Sequence, residues 1–346
     1  MHRREAMVAL VAAGAASLFP ARSQAGWSEY GSSVGIIQPR DRTLPEASAE
    51  RKNFEYRLGR AVLELIEDWY QGGNLPVWGR PLARIDMHKR VVNIVYWVTR
   101  SIPEKYDVYP VDPVWIMAQI MEESFFYEFA VSWAFAVGIC QFMSVTARSV
   151  GMICPENSTL DPSQFKRQDL AASQTKLKDL QQKRKDLIRS DPDLFQNAQA
   201  KLKEVLSALA DGQGYSDPEA DLSRLQQLEK LEEEISEARS EYRTFLQANY
   251  QGRSIFDPSD VRFLSRFDQR VTYKKPLAGM VRIMAENLRA RGGNLLAATA
   301  AYNAGLSRTY TGRSGYEPYG RMPAFRETVA YLSRIMVNHH EIVQRM

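Results

Sequence analysis

Hydrophobic positions recur at steps of three and four along most of this chain, and the alternation that marks strands is nearly absent, which predicts a mainly α fold. Leu58, Val62, Leu65, Ile66 and Trp69 form one helical stripe, and Gly72-Gly73 ends it. A second helix is predicted over Ile85 through Val98, with Pro103 beyond its end. Asp112-Pro113 then supplies an N-cap and a first-turn proline for a third helix carrying Trp115, Ile116, Ile120 and Met121. Further on, Leu277, Met280, Val281, Met284 and Leu288 mark one apolar face, and Phe325, Val329, Leu332 and Met336 mark another.

The stretch from Lys166 to Arg253 has a different pattern. Leu228, Leu231, Ile235, Ala238, Tyr242, Phe245 and Asn249 fall at alternating steps of three and four, a heptad seam. Leu170, Leu177, Leu180 and Leu187 give a matching seam, and Leu202, Leu206 and Leu209 a shorter one. Asp191-Pro192 and Asp211-Gly212-Gln213-Gly214 read as breaks between them. Residues 166 to 203 carry ten Lys/Arg against five Asp, and residues 204 to 253 carry five Lys/Arg against eleven Asp/Glu. These opposite charges favour folding back, so the stretch is read as an antiparallel coiled-coil hairpin, a spacer or a surface for a protein partner. Taken as a separable unit, 166 to 253 is expected to be removable without unfolding the rest.

Before this lies the start of the chain. Arg3-Arg4, the 14-residue apolar run Ala6 to Phe19 and Ser23-Gln24-Ala25 match an export signal, cleaved before Gly26. The run is shorter than the ~18–20 residues that span a bilayer, and no later segment reaches that length. The expectation is an exported, periplasmic protein with no membrane span after signal removal. Residues 26–49, rich in Gly, Ser, Pro and Arg, read as an extended lead-in.

Composition narrows the chemistry. A formal charge of +4 over 346 residues gives no nucleic-acid signal. Two cysteines and four histidines are too few for a zinc cage, so no metal and no cofactor is expected. Cys140 and Cys154 flank a helix-like segment that holds them apart, which predicts two unpaired thiols. What remains is carboxylate chemistry. Glu123 closes an apolar helix and is followed by Ser124-Phe125-Phe126; low polarity there favours the protonated form a general acid needs. Its neighbour Glu122 reads as an ordinary helix-end glutamate facing solvent. On spacing alone, a solvent-facing side chain is the simpler reading of Glu123 as well.

The surrounding motifs change that balance. Asp112-Pro113 before Glu123-Ser124, then Ser132, then Gly138-Ile139-Cys140-Gln141-Phe142-Met143 and Thr146-Ala147 stand in order. After the hairpin come Ala300-Ala301-Tyr302-Asn303-Ala304-Gly305 and Glu327-Thr328-Val329-Ala330-Tyr331. This series resembles the soluble lytic transglycosylase family, whose fold is lysozyme-like. The resemblance covers about 107–155 and 255–340. It implies a lysozyme-like domain in two parts, 50–155 and 255–346, interrupted by an insertion over 156–254.

By that resemblance Glu123 is the catalytic acid/base, Ser132, Gln141 and Met143 line the cleft, and Tyr302 hydrogen-bonds the glutamate or the substrate. Asn303 belongs to the same substrate-binding motif, and Glu327 closes the cleft floor. The implied substrate is the peptidoglycan glycan strand, cleaved between N-acetylmuramic acid and N-acetylglucosamine to a 1,6-anhydro end. Phe135 replaces the family's glycine, Cys140 a methionine and Ser144 a proline, so the loop beside the cleft is bulkier than usual. Phe129, Trp133 and Phe135 are candidates for stacking on a sugar ring. Glu128 is nearby, in a place that is not catalytic in the family. Two alternatives stay open: a low-activity glycan-binding scaffold whose hairpin docks a cell-envelope partner, and a muramidase that uses water.

Overall fold

The computed structural model describes residues 37–38, 40–41, 43–215, 217–310 and 320–346. The expected export signal at 1–25, and most of the lead-in, lie outside the described residues. The α-helices among the described residues are, in chain order, α1 Ser48–Tyr70, α2 Met87–Ser101, α3 Pro113–Ser124, α4 Ser144–Ser149, α5 Ser173–Ser190, α6 Pro192–Gln196, α7 Ala198–Ala210, α8 Pro218–Tyr250, α9 Pro258–Phe267, α10 Lys274–Ala290, α11 Leu295–Ala304 and α12 Arg326–Arg345. Isolated bridges, and no strands, accompany them among the described residues. No described helix is long and apolar enough to cross a membrane.

The centre of the molecule is α3. Every residue from Pro113 to Met121 is buried, and the core around this helix is built from α1, α2, α10, α11 and α12. Such a helix has no amphipathic stripe, because no face of it meets water. Asp112 starts it as expected, accepting from the Val114 amide at 2.8 Å, and its second carboxylate oxygen meets buried His339 of α12 at 3.1 Å. At the other end Phe125 and Phe126 both take left-handed backbone angles, φ 51° and 59°. Two such residues cost about 1–2 kcal/mol each. Burial of both rings, at 3 % and 0 % exposure, offsets that cost and turns the chain sharply just after Glu123.

The stripe on α10 is as expected, with Leu277, Met280, Val281, Met284 and Leu288 fully buried. On α1 the first four stripe residues are buried, whereas Trp69 is 42 % exposed. The stripe expected on α12 is wrong. Of its four residues only Leu332 is buried; Phe325, Val329 and Met336 are exposed. The buried face instead carries Thr328, Tyr331, Leu332, Ile335, Asn338, His339 and Ile342. Polar residues displace apolar ones here because Tyr331, Asn338 and His339 bond to groups on α3 and its cap.

Helices α5 and α8 pack against each other, joined by Leu177, Leu180, Leu231, Ile235 and Ala238. Ion pairs Lys176–Glu241 at 3.3 Å, Arg184–Glu232 at 2.8 Å and Asp191–Arg224 at 2.8 Å run in opposite chain directions, so the two helices are antiparallel. The short seam on α7 is not packed: Leu202, Leu206 and Leu209 are each more than half exposed. The C-terminal part of α8 belongs to a different cluster. Tyr242, Phe245, Leu246 and Tyr250 are buried with Leu264, Phe267 and Val271, from the elements that follow α8. That end of the helix is thus core, and only the part before it is a two-helix arm.

Candidate active site

Glu123 ends the buried helix α3 and is itself half-buried. The hydroxyl of Tyr331, on α12, donates to its Oε1 at 2.5 Å. Gln119, one turn earlier on α3 and fully buried, donates its amide to the same hydroxyl at 2.9 Å. A lone pair of Tyr331 is therefore engaged by Gln119 while its proton points to Glu123, which fixes one carboxylate oxygen.

The neighbouring acids are committed elsewhere. Glu122, expected to face solvent, is ion-paired with Arg334 of α12 at 2.6 Å. Glu128 is 2 % exposed and accepts two bonds from the Arg90 guanidinium, at 2.9 and 2.6 Å. Both are charge-neutralised: the first supports the α3–α12 contact, the second ties α2 to the chain just after α3.

The loop from Ala130 to Met143 carries the next candidates. Antiparallel bridges Val131–Val137 and Val137–Phe142 fold it into two tight turns. Ser132 caps the first, its hydroxyl accepting from the Ala136 amide at 2.9 Å. Gln141 closes the second, donating to the Gly138 carbonyl at 2.8 Å, and Met143 stands exposed just before α4. Two bonds tie the loop to the Glu123 end: Ser124 Oγ donates to the Ile139 carbonyl at 3.0 Å, and Tyr302 Oη to the Cys140 carbonyl at 2.8 Å. Tyr302 thus anchors the loop; the hydroxyl that meets the glutamate is that of Tyr331.

Beneath the loop lies a buried charge network. Asp268 and Arg270 are both fully buried and paired at 2.7 Å, with Tyr250 of α8 donating to Asp268 at 2.6 Å. Arg270 also donates to the carbonyls of Phe135 and Phe142, at 3.3 and 3.2 Å. Gly138 sits so close that a Cβ there would lie 1.9 Å from the Arg270 carbonyl oxygen, and its φ is +84°. Only glycine fits. Phe135, at φ 66°, shows why a glycine is usual at that place: the backbone is left-handed there too. Its ring packs edge-on against Tyr242 at 5.0 Å, and Phe129 stacks on Tyr250 at 5.7 Å. Both of these rings, expected to meet sugar, are turned toward α8, and Trp133 is the one left exposed, at 57 %.

Asn303 and Glu327 are held at the junction of α11 and α12. The Asn303 side-chain oxygen accepts from the Thr328 hydroxyl at 2.9 Å. Glu327 is exposed in the first turn of α12, where a negative charge suits the helix N-terminus. Cys140 and Cys154 are unpaired and buried, as expected. Burial raises the Cys140 thiol well above its usual value, helped by the Glu123 charge, and pushes Cys154 up to about 12. Burial first, and the Glu123 charge after it, also hold Tyr331 well above the usual tyrosine value. The same burial, with the charges of Cys140 and Glu123, does so for Tyr302. These three groups packed around Glu123 therefore stay neutral near pH 7. Among the described residues no three of His, Cys, Asp and Glu gather as metal ligands would.

Tyr331 and Arg270 were missed as site residues. Tyr331 is visible in the sequence as part of a motif, but nothing in its spacing tells which tyrosine reaches Glu123. Arg270 follows Asp268 at two residues, a pair that reads as a surface turn until the fold buries it.

No curated protein and no solved structure matches the chain. Residues 101–189 match the family model described as the transglycosylase SLT domain, a stretch holding α3, Glu123 and the whole 130–143 loop. This stretch is therefore similar to the transglycosylase SLT domain, a likeness consistent with the soluble lytic transglycosylase family, whose members act on peptidoglycan.

Proposed function

We propose that this protein is a peptidoglycan lytic transglycosylase in which Glu123 is the single general acid and base. The observation that carries the reading is the Gln119–Tyr331–Glu123 chain of hydrogen bonds at the end of a buried helix, whose glutamate lies inside the matched segment. In its protonated form Glu123 donates to the glycosidic oxygen after N-acetylmuramic acid, and the C1–O bond breaks as oxocarbenium character develops. The resulting carboxylate then takes the proton of the C6 hydroxyl, and O6 closes on C1. No water is added, so the new end is a 1,6-anhydro sugar and the proton is returned to Glu123. The two nearby carboxylates, Glu122 and Glu128, are held by arginines, which fits a scheme that needs no second acid. Ser132, Gln141, Met143, Tyr302, Asn303 and Glu327 shape the glycan site in this reading, largely by fixing the 130–143 loop and the α11–α12 junction. The leader at 1–25 directs the chain to the periplasm, where the polymer is.

The test is digestion of purified peptidoglycan by the mature protein and by its Glu123→Gln variant. Products lighter than hydrolysed ends by about 18 Da, one water, and absent with the variant, are expected. Reducing ends of hydrolysed mass would make it a muramidase, and turnover retained by Glu123→Gln would remove that residue from the mechanism.

A further inference from the structure

Between the α5–α8 arm and the tip of the 130–143 loop lies a groove of about 800 Å³. Its walls carry Arg184 and Lys185 from α5, Arg239 and Arg243 from α8 and Trp133 from the loop, with Glu232 as the one carboxylate of the lining. Four cations against one anion make it strongly positive. Some cations along the arm are ion-paired, as in Lys176–Glu241 and Asp191–Arg224. Arg239 differs. Its guanidinium lies over the Trp133 ring, 3.9 Å from the centroid, and the groove's carboxylate is taken by Arg184. Burial and the nearby Arg184 charge push Arg239 below the ordinary arginine value.

The groove is continuous with the catalytic loop. Arg243 donates to the carbonyls of Val131 at 3.1 Å and Ser132 at 2.9 Å, so α8 grips the loop on the groove side. Across the first turn the Ser132 amide donates to the Ala136 carbonyl at 2.8 Å. Three residues beyond Ala136, the Ile139 carbonyl accepts from Ser124 Oγ, next to Glu123, at 3.0 Å, and that span of chain reaches at most about 11 Å. The 130–143 loop thus joins the wall of the groove, at Trp133, to the helix end that carries Glu123.

We propose that this groove binds the peptide stem of peptidoglycan by its free carboxylates, beside the glycan strand being cut. This rests on the proposed function. Guanidinium groups match carboxylates in a planar, two-bond geometry, and stacking on Trp133 holds Arg239 in place before the ligand arrives. The solvent-exposed part of the Trp133 ring is left for the apolar atoms of the stem.

The experiment uses the full mature chain carrying Glu123→Gln, so that nothing is cut, and two soluble probes: glycan strands with stems intact, and the same strands stripped by an amidase. Stem-bearing strands are expected to bind about tenfold tighter at low salt, the worth of one charge-assisted contact. In Arg239→Gln and in Lys185→Gln that preference should shrink toward unity, with stripped strands bound as before and melting temperatures unchanged. Equal binding of both probes by the parent, or equal loss on both probes in the variants, overturns the proposal and leaves an acidic protein segment as the occupant. Cleavage by the chain with Glu123 intact is scored apart: absence of anhydro products from stem-bearing strands refutes the proposed function, while the stem preference remains measurable.

Discussion

The substitution Asp268→Asn removes one charge from a pair with no solvent contact, and leaves the Arg270 guanidinium buried without a counter-ion. Stranding one partner of a buried pair costs about 3–5 kcal/mol. The asparagine is nearly isosteric, and with its side-chain oxygen in the place of Oδ2 it still accepts from Tyr250 and from Arg270 Nη2. Packing is preserved; the loss is the charge, together with the two bonds that Oδ1 accepts from the Arg270 amide and Nε, at 3.1 and 2.9 Å, which an amide nitrogen cannot accept. At about 2 °C per kcal/mol for a chain of this size, the melting temperature should fall by about 6–10 °C. Arg270→Met costs stability for another reason, since the carbonyls of Phe135 and Phe142 lose their donor and Asp268 loses its cation. Combining the two substitutions strands no charge. The double variant should therefore be more stable than the two single losses add up to, by at least about 2 kcal/mol. The assay is thermal unfolding of the four proteins followed by circular dichroism. A drop of less than about 2 °C for Asp268→Asn, or losses that add within about 0.5 kcal/mol, would refute the claim that this pair is a buried unit holding the loop.

Three further outcomes follow from other parts of the structure. Tyr331→Phe removes the proton donated to Glu123 and should lower kcat by about 10–100-fold, a bond to a charged group being worth about 1.5–3 kcal/mol, while moving the alkaline limb of the pH–rate profile, where the proton of the acid is lost, to higher pH; an unshifted profile would make Tyr331 merely structural. Burial raises both thiols, so the folded chain keeps two protons that the unfolded chain gives up near pH 9: stability is whole below that pH and falls as it rises toward 12, by about 1.4 kcal/mol per thiol per unit. Urea midpoints at pH 8 and 10 check this, and equal midpoints would sink it. Deleting 176–238 should leave cooperative unfolding intact, whereas deleting 166–253 should not, because it also removes Phe245, Tyr250 and the bond to Asp268; similar melts for both would contradict the division of α8.

Much of the core was legible because its period is simple: the α10 stripe, the Asp112-Pro113 start of α3 and the Glu123 end can be read from spacing alone. What was not legible is where polar side chains replace apolar ones for a specific bond. On α12 a count of hydrophobic residues picks Phe325, Val329 and Met336, yet the buried face is the one with Tyr331 and His339, since their partners are on α3 and its cap, over two hundred residues away in sequence. A bulky residue at a glycine position suggested a ring for sugar at Phe135. The ring in fact has a berth against Tyr242, on a helix whose meeting with this loop no local pattern announces.

The bond between Tyr331 and Glu123 joins positions 208 apart, and α12 is the last of the described helices. At about 5–20 residues per second, synthesis places roughly 10–40 s between the two residues. During that interval α3, buried along nearly its whole length in the finished fold, has no α12 to cover it, and Glu123 has no tyrosine to orient it. The orientation of Glu123 is therefore acquired only once Tyr331 has been made, and a chain cut short before Tyr331 would carry every residue of the matched segment and still lack it.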